Sequence, residues 1–380
     1  MVHNSNRQAA PELGEIADEE AAFLSELPKQ YKLLGKISQG GMGAIYKAQN
    51  KYTGALFAIK VIKLESVRRE KDLQRFVIEA RAASLLKHPR ICRVHDFGLT
   101  ESKMPFLVMD WIDGIALSRK IQQDGRMSVP EATYIFQQIS SALEHAHSNK
   151  VVHRDLKPDN IMLDRDADGR TQIYIVDFGI AKVMKDEEKG PEEKSQLTST
   201  GTFVGTPLFM SPEQARASST IDHRSDLYSF GCMMYYVLTG EAPFIGNSAI
   251  DTIAKHLHQT PADFPARFKI PPDLRAIVFK CMEKNVEERY QSAVQLSEDL
   301  KKLEKGVGIK HRPLVHEREK KRKQLVRIGA FILGFAAMYG ISIGMQYLLD
   351  TTQSKKEHRT ETATKTPVEY KKENSIKHSK

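Results

Sequence analysis

Cysteine is scarce: Cys92, Cys232 and Cys281 are the only three in 380 residues. They are odd in number, widely spaced and never form a C-x-x-C pair. A disulfide framework and a zinc ribbon are thereby excluded, and a reducing compartment suits the bulk of the chain. Basic charge is missing where a nucleic-acid-reading domain would need it. The chain carries a net +9, yet residues 305–380 hold 17 Lys+Arg against 7 Asp+Glu, which leaves residues 1–304 within one charge of neutral. That excludes a basic domain built to read nucleic acid and places the excess in a tail suited to a membrane surface or an acidic partner. Also absent is an apolar run behind a positive start, so no signal peptide is expected. Residues 1–27 are polar and acidic and read as a disordered or loosely helical leader. The overall composition is ordinary for a globular protein, which excludes wholesale disorder.

One long apolar run is present. Ile328 to Leu349 (IGAFILGFAAMYGISIGMQYLL) contains 22 residues and no charge. As a helix it would span roughly 33 Å, about the hydrocarbon thickness of a bilayer. Four glycines within it would weaken a water-soluble helix but are common in membrane ones. Lys310 to Arg327 carries eight Lys/Arg before the span, and the 20 residues after it carry four. The positive-inside rule then puts the N-terminal side in the cytoplasm. Residues 305–327 read as a basic juxtamembrane linker and 350–380 as a polar disordered tail outside an inner membrane. Gly340 and Gly344 make one G-x-x-x-G pair, a packing face for a homodimer.

Residues 28–304 read as one globular unit of α+β class. Tyr31 to Ile37, Ala44 to Gln49 and Ala55 to Ile62 have strand character with glycine turns between them. A helix is expected from Arg69 to Leu86, with Leu73, Phe76, Val77 and Ala80 on one side. Strands follow around Cys92 to Gly98 and Pro105 to Trp111. Beyond Gly114 the pattern is mainly helical. Ser128-Val-Pro-Glu131 has the form of a capping box opening a helix with Ile135, Ile139, Leu143 and Ala146 in register. Another helix runs from Asp226 to Leu238 and stops at Gly240. A β-rich small lobe (28–111) beside an α-rich large lobe (112–304) leaves a cleft suited to a small molecule.

Four elements carry chemistry in a fixed order. Ile37-Ser-Gln-Gly-Gly-Met-Gly-Ala-Ile45 is a glycine-rich hairpin whose backbone N–H groups can approach phosphate oxygens. Phe57-Ala-Ile-Lys60 ends an apolar strand in a lysine that would reach the cleft, with Glu79 on the next helix as its ion-pair partner. In Val152-His-Arg-Asp-Leu-Lys-Pro-Asp-Asn-Ile161, Asp155 can orient a hydroxyl or accept its proton. Lys157 can neutralise phosphate charge and Asn160 offers a metal an oxygen. In Ile175-Val-Asp-Phe-Gly179, Asp177 is placed to bind Mg²⁺, which favours oxygen ligands.

With these motifs the sequence resembles eukaryotic-like protein kinases, and most closely the bacterial membrane-anchored serine/threonine kinases, over about Tyr31 to Leu303. The resemblance implies the two-lobed kinase fold, plus one C-terminal transmembrane helix, with ATP between the lobes. It implies that Lys60 holds the α/β-phosphates and pairs with Glu79, that Asp155 is the catalytic base and that Lys157 contacts the γ-phosphate. Asn160 and Asp177 would hold Mg²⁺, with Mn²⁺ as an alternative. The ATP-binding set would be Ile37, Ser38, Gly40, Gly41, Gly43, Ile45, Ala58, Lys60, the gatekeeper Met109, the hinge residues Asp110 and Ile112, and Met162. Of these, Ile45, Ala58 and Met162 would sandwich the adenine. Ser38 stands where the family has its first loop glycine, which puts nucleotide affinity in question. Glu213 in Ser211-Pro-Glu213 would pair with Arg289, and Asp226 would brace the catalytic loop. Lys157 and Thr206 resemble the serine/threonine class.

Residues 182–203 would form the activation loop, with Thr198, Thr200 and Thr202 as phosphorylation sites and Arg154 as the cation that reads the phosphate. Asp164 to Gly169 resembles the start of an EF-hand but lacks the acidic twelfth position, so a hairpin turn is expected there. His145 and His147 read as packing or surface residues. The expected function is transfer of the ATP γ-phosphate to Ser or Thr of protein substrates, switched on by loop phosphorylation, at a membrane. The rival reading is a nucleotide-binding, pseudokinase-like signalling scaffold.

Overall fold

In a computed structural model, the structure describes residues 24–40, 43–62, 70–178, 207–216, 218 and 221–308. Gly41, Thr198, Thr200, Thr202, Thr206 and the apolar run 328–349 therefore lie outside the described residues.

Five antiparallel strands make the first sheet, in the order β1-β2-β3-β5-β4. They are β1 (Tyr31–Gly40), β2 (Gly43–Asn50), β3 (Leu56–Ile62), β4 (Val94–Leu99) and β5 (Pro105–Asp110). Side chains alternate between faces with period 2. Ala44, Tyr46, Ala48, Ile59, Val61, Phe106 and Val108 form one buried cluster with Leu24 and Leu27. Ala58, Ile62, Leu107 and Met109 face the other way, onto Phe76, Ala80 and Ala83 of helix α1 (Glu70–Ser84). Lys60 lies between Ala58 and Ile62 on that second face. The alternation therefore directs it into the domain and away from solvent on the far side.

Residues 24–27, at the end of the segment read as a disordered or loosely helical leader, pack against this sheet. Leu24 and Leu27 are buried, and the Glu26 carboxylate accepts hydrogen bonds from the Ser102 backbone and hydroxyl, both at 2.7 Å.

A three-stranded sheet, β6 (Ile115–Ala116), β7 (Ile161–Arg165) and β8 (Thr171–Ile175), carries the catalytic segment. Residues 166–169 form the β7–β8 turn, where the Asp166 carboxylate accepts the Asp168 and Arg170 N–H groups. Helix α2 (Leu117–Asp124) follows β6, and helix α3 (Val129–Ser148) buries Ile135, Ile139, Leu143 and Ala146 on one stripe. Ser128 caps α3 by accepting the Glu131 N–H. The full reciprocal capping box lies elsewhere, at Ser211 and Gln214 of the short helix α4 (Pro212–Ala215). Helix α5 (Arg224–Thr239) is buried on nearly every side, as befits the centre of a helical lobe. It packs against α7 (Pro272–Cys281), and α6 (Ala249–His258) and α8 (Ala293–Glu304) complete the helices of this lobe. A Cβ on Gly231 of α5 would fall 2.6 Å from the Cys281 Cβ, so glycine is what lets α5 and α7 meet.

Candidate active site

The catalytic segment is held by one buried carboxylate. Asp226, 1% exposed, accepts the His153 N–H on Oδ2 and the Arg154 N–H on Oδ1, both at 2.8 Å. Arg154 sits at φ 61°, in the left-handed region that costs an ordinary residue about 1 kcal/mol. The two charge-assisted hydrogen bonds offset that cost. His147 Nε2 lies 2.8 Å from Asp226 Oδ2 and completes the brace. Burial pushes the Asp226 carboxyl up, but the hydrogen bond and charge of His147, with the His153 contacts, prevail and hold it below the usual range. His147 is thus a bracing residue, not mere packing. The available signal was its place on the last turn of α3, just before the catalytic segment.

His153 is fully buried, and its tautomer follows from its partners. Its Nδ1 accepts the Asp155 N–H at 3.2 Å, so Nε2 carries the proton and donates to the Val176 carbonyl at 3.0 Å. Burial lowers its pKa and keeps the ring neutral. The ring also packs against Phe178 with centroids 4.8 Å apart. His153 therefore ties the segment of Asp155 to the segment of Asp177.

Asp155, Lys157 and Asn160 come together as the sequence implied. Lys157 Nζ donates to Asp155 Oδ2 at 2.8 Å, and Asn160 Nδ2 donates to the Asp155 carbonyl at 2.8 Å. Burial pulls the Lys157 ammonium down, but Asp155 outweighs it and holds the lysine above its ordinary pKa. Lys157 is a fixed positive charge at neutral pH. Because the Asn160 nitrogen is committed to Asp155, its Oδ1 is the atom left to face a cation. Asp177, at φ 57°, supplies a second hard oxygen donor. This donor set fits Mg²⁺.

The expected Lys60–Glu79 ion pair is not formed. Lys60 Nζ lies 2.7 Å from Asp177 Oδ1, and Glu79 Oε1 lies 3.8 Å from Arg154 Nη1. Lys60 here engages a carboxylate oxygen that a metal ion would need, and Arg154 is the cation beside Glu79. The reason is tertiary: two cations and two carboxylates meet here, and the placement of α1 decides the pairing.

Ile45 and Ala58 join Met109, Trp111, Ile112 and Val176 in one apolar cluster. Strand register explains this, since Ala58 pairs with Met109 and Ile45 with Lys60. Met162 lies outside that cluster, on β7 opposite Ala116 and Tyr174. Ile37, Ser38 and Gly40 lie on β1, with Ser38 exposed and paired to Ile45. Gly43 comes so close to β3 that a Cβ would fall 2.0 Å from the Val61 carbonyl oxygen. Asp110 is pinned to the neighbouring strand: its carboxylate meets the Arg93 N–H at 3.2 Å and His95 Nε2 at 2.5 Å.

Glu213 and Arg289 form a bidentate buried pair at 2.7 and 2.8 Å, and Ser225 donates to Glu213 at 2.7 Å. Burial raises the Glu213 carboxyl, but Arg289 prevails and depresses it. Two further bonds fasten the segment after Thr206 to this frame. Gln214 Nε2 donates to the Arg154 carbonyl at 2.6 Å, and Ser229 Oγ donates to the Phe209 carbonyl at 2.7 Å.

The chain matches the protein kinase domain family over residues 31–300. It is 35% identical over 286 residues to the serine/threonine-protein kinase PknB of Mycobacterium tuberculosis, covering 74% of this chain and 44% of that protein. It is 35% identical over 279 residues to the serine/threonine-protein kinase pkn3 of Myxococcus xanthus, covering 73% and 50%. The chain therefore spans about half the length of the curated relatives it matches. Among solved structures, Rad53 1-466 in complex with AMP-PNP superposes with a TM-score of 0.56 at 26% identity, covering 74% of this chain and 69% of that one.

Proposed function

The chain belongs to the protein kinase family, and on that footing we propose that it transfers the ATP γ-phosphate to Ser or Thr hydroxyls of proteins. The observation that carries this reading is the bonding of Asp155 to Lys157 and Asn160, with the segment of Asp177 and its partner Lys60 tied to them through His153. Asp155 is within reach of Lys157 and would orient the acceptor hydroxyl. Lys157 would neutralise charge developing on the transferred phosphoryl group, and Lys60 would hold the remaining phosphates. Mg²⁺, held by Asn160 and Asp177, would supply electrostatic stabilisation of the phosphates. Ile45, Ala58 and Met109 offer the adenine an apolar slot, and the Rad53 complex with AMP-PNP supports nucleotide use.

We further propose self-activation. Arg154 is engaged with Glu79, and a phosphate on Thr198, Thr200 or Thr202 would offer it a stronger partner. Glu79 would then be released to Lys60, and Lys60 would leave Asp177 to its metal. The membrane assignment is likewise a proposal. Among the described residues no helix is long and apolar enough to cross a membrane. What supports an anchor is the uncharged run 328–349 and the eight cations before it. Its G-x-x-x-G pair suits a homodimer. Resistance of the chain to alkaline extraction from membranes would support the anchor, and full extraction would remove it.

The deciding experiment is phosphate transfer by the 380-residue chain to itself and to a synthetic peptide of residues 194–206. Asp155→Asn and Lys60→Met serve as controls. Transfer should fall by about 10²–10⁴ in Asp155→Asn without loss of thermal stability. ATP binding without any transfer by the wild type would replace this reading with the scaffold, a nucleotide-binding signalling protein.

A further inference from the structure

Two histidines lie where helix α1 of the small lobe passes into the large lobe. His88 is in the loop after α1, and His145 is on α3. Their rings are tilted by 30° with centroids 5.4 Å apart. Each ring accepts a hydrogen bond from the backbone of that loop. The Lys87 N–H donates to His145 Nε2 at 3.2 Å, and the Arg90 N–H donates to His88 Nδ1 at 3.1 Å. His88 Nε2 lies 3.2 Å from Ser141 Oγ, also on α3. The phosphate-transfer chemistry uses none of these groups.

The protonation of both rings follows from these donors. A backbone N–H only donates, so the nitrogen that receives it is unprotonated. A neutral imidazole with one bare nitrogen carries its proton on the other. His145 is therefore the Nδ1–H form. His88 is the Nε2–H form and donates to Ser141. A second proton on either ring takes the acceptor away from a backbone N–H. With both rings charged, two like charges also stand 5.4 Å apart.

The charged groups that act on His88 are His145 on α3 and Arg90 in its own loop. Burial, and then the charges of these two, hold His88 below its ordinary pKa. Arg81 in the last turn of α1 and Lys87 are exposed, Glu144 beside His145 is half-buried, and His147 is turned to Asp226.

The loop joins two parts of the site. Leu86 and Ile91 are buried in the core of the large lobe. The Arg90 carbonyl accepts the Ile175 N–H at 2.9 Å, and the Ile175 carbonyl accepts the Cys92 N–H at 2.9 Å. Asp177 lies two residues beyond Ile175, and Glu79 lies on α1 just before the loop. Arg90 thus donates to His88 and accepts from the strand that leads to Asp177.

We propose that His88 and His145 form an acid-sensitive latch between α1 and the large lobe: the neutral rings hold residues 87–90 on α3, and protonation releases them and slows phosphate transfer. This deepens the kinase reading and rests on it. In an unfolded chain an imidazole takes up its proton near about pH 6.5. His88 is depressed in the fold, so its stabilising contribution is fully present above that value and is lost as pH falls below it toward the folded value.

The test replaces the rings by acceptors that do not titrate. Glutamine at position 145 brings an oxygen near the place of Nε2, and asparagine at position 88 brings one near that of Nδ1. In the 380-residue chain, transfer to the 194–206 peptide by the wild type, divided by that of His88→Asn/His145→Gln, should fall about tenfold from about pH 7.5 to about pH 5.5. Other groups that titrate in this window are common to both proteins and cancel in the ratio. A ratio constant with pH overturns the proposal. Melting temperature gives the same comparison without needing activity: acid should lower it more in the wild type than in the double variant, and equal losses count against the latch. ¹⁵N-histidine spectra of the wild type at neutral pH make the test independent of how the variants fold. They should show His145 with a bare Nε2 and His88 with a bare Nδ1, and the opposite tautomer at either ring removes the latch. No transfer by the wild type at any pH sinks the kinase reading instead, and melting and spectra then still decide the latch.

Discussion

Arg154 and Glu79 face each other at 3.8 Å, Nη1 to Oε1, and this contact stands where a Lys60–Glu79 pair was expected. Lys60 is meanwhile bound to Asp177 at 2.7 Å. Each cation thus holds a different carboxylate, Lys60 that of Asp177 and Arg154 that of Glu79. If Arg154 holds Glu79 until a phosphate displaces it, Arg154→Gln should uncouple activity from loop phosphorylation. Rates of loop-phosphorylated and phosphatase-treated enzyme should differ by about tenfold or more in the wild type and by less than about threefold in the variant. Equal coupling in both forms would show that Arg154 does not read the phosphate.

The glycine-rich hairpin makes unequal demands on its glycines. A Cβ on Gly43 would meet the Val61 carbonyl oxygen at 2.0 Å, whereas a Cβ on Gly40 has no atom within 4 Å. Gly43→Ala should therefore force β2 away from β3, lower the melting temperature by several degrees and weaken ATP binding. Gly40→Ala should leave stability unchanged. Thermal melts of the two variants side by side check this, and similar losses in both would count against the register described.

The Glu213–Arg289 pair predicts an acid-labile fold. Glu213 is depressed in the folded protein, so its stabilising contribution is fully present above the unfolded carboxyl pKa of about 4.3. It is lost as pH falls through the lower folded value. Asp226 is depressed too and acts in the same direction. Arg289→Ala leaves a buried carboxylate unpaired and should cost about 3–5 kcal/mol at neutral pH. Its melting temperature should then fall less steeply between about pH 5 and pH 3 than that of the wild type, because the pair is already gone. Parallel slopes would assign the acid sensitivity to other carboxylates.

Asp226 sets the backbone of Arg154, and His147 sets Asp226. Asp226→Asn offers one acceptor oxygen to two N–H groups that now each have one, and it leaves His147 without its carboxylate. The rate of transfer should fall about tenfold or more while KM for ATP changes little, because the weakened bonds hold the backbone before Asp155 and not the strands that carry Ala58 and Met109. His147→Phe should show the same signature in weaker form. A change confined to KM for ATP would contradict the bracing role.

Much of the site was legible in the chain because its parts are local. Period-2 alternation alone put Lys60 on the face shared by Ala58 and Met109. The order of the four motifs brought Asp155, Lys157, Asn160 and Asp177 to one place. Helix stripes such as Ile135, Ile139, Leu143 and Ala146 followed from 3.6-residue periodicity. Burial in these cases is a property of neighbours in sequence, and spacing reports it.

Partner choice was not legible, because it depends on distances between elements far apart in the chain. Glu79 suits Lys60 in charge and spacing, yet the placement of α1 gives it to Arg154. Leu24 and Leu27 read as the end of a polar leader until the sheet offers them an apolar face. His147 looks like any helical histidine, since sequence does not carry the carboxylate it meets. Sequence determined which groups are available and which face of each element they occupy. Tertiary structure decided which of them are paired, because hydrogen bonds and buried ion pairs act over about 3 Å and a shift of one helix exchanges their partners.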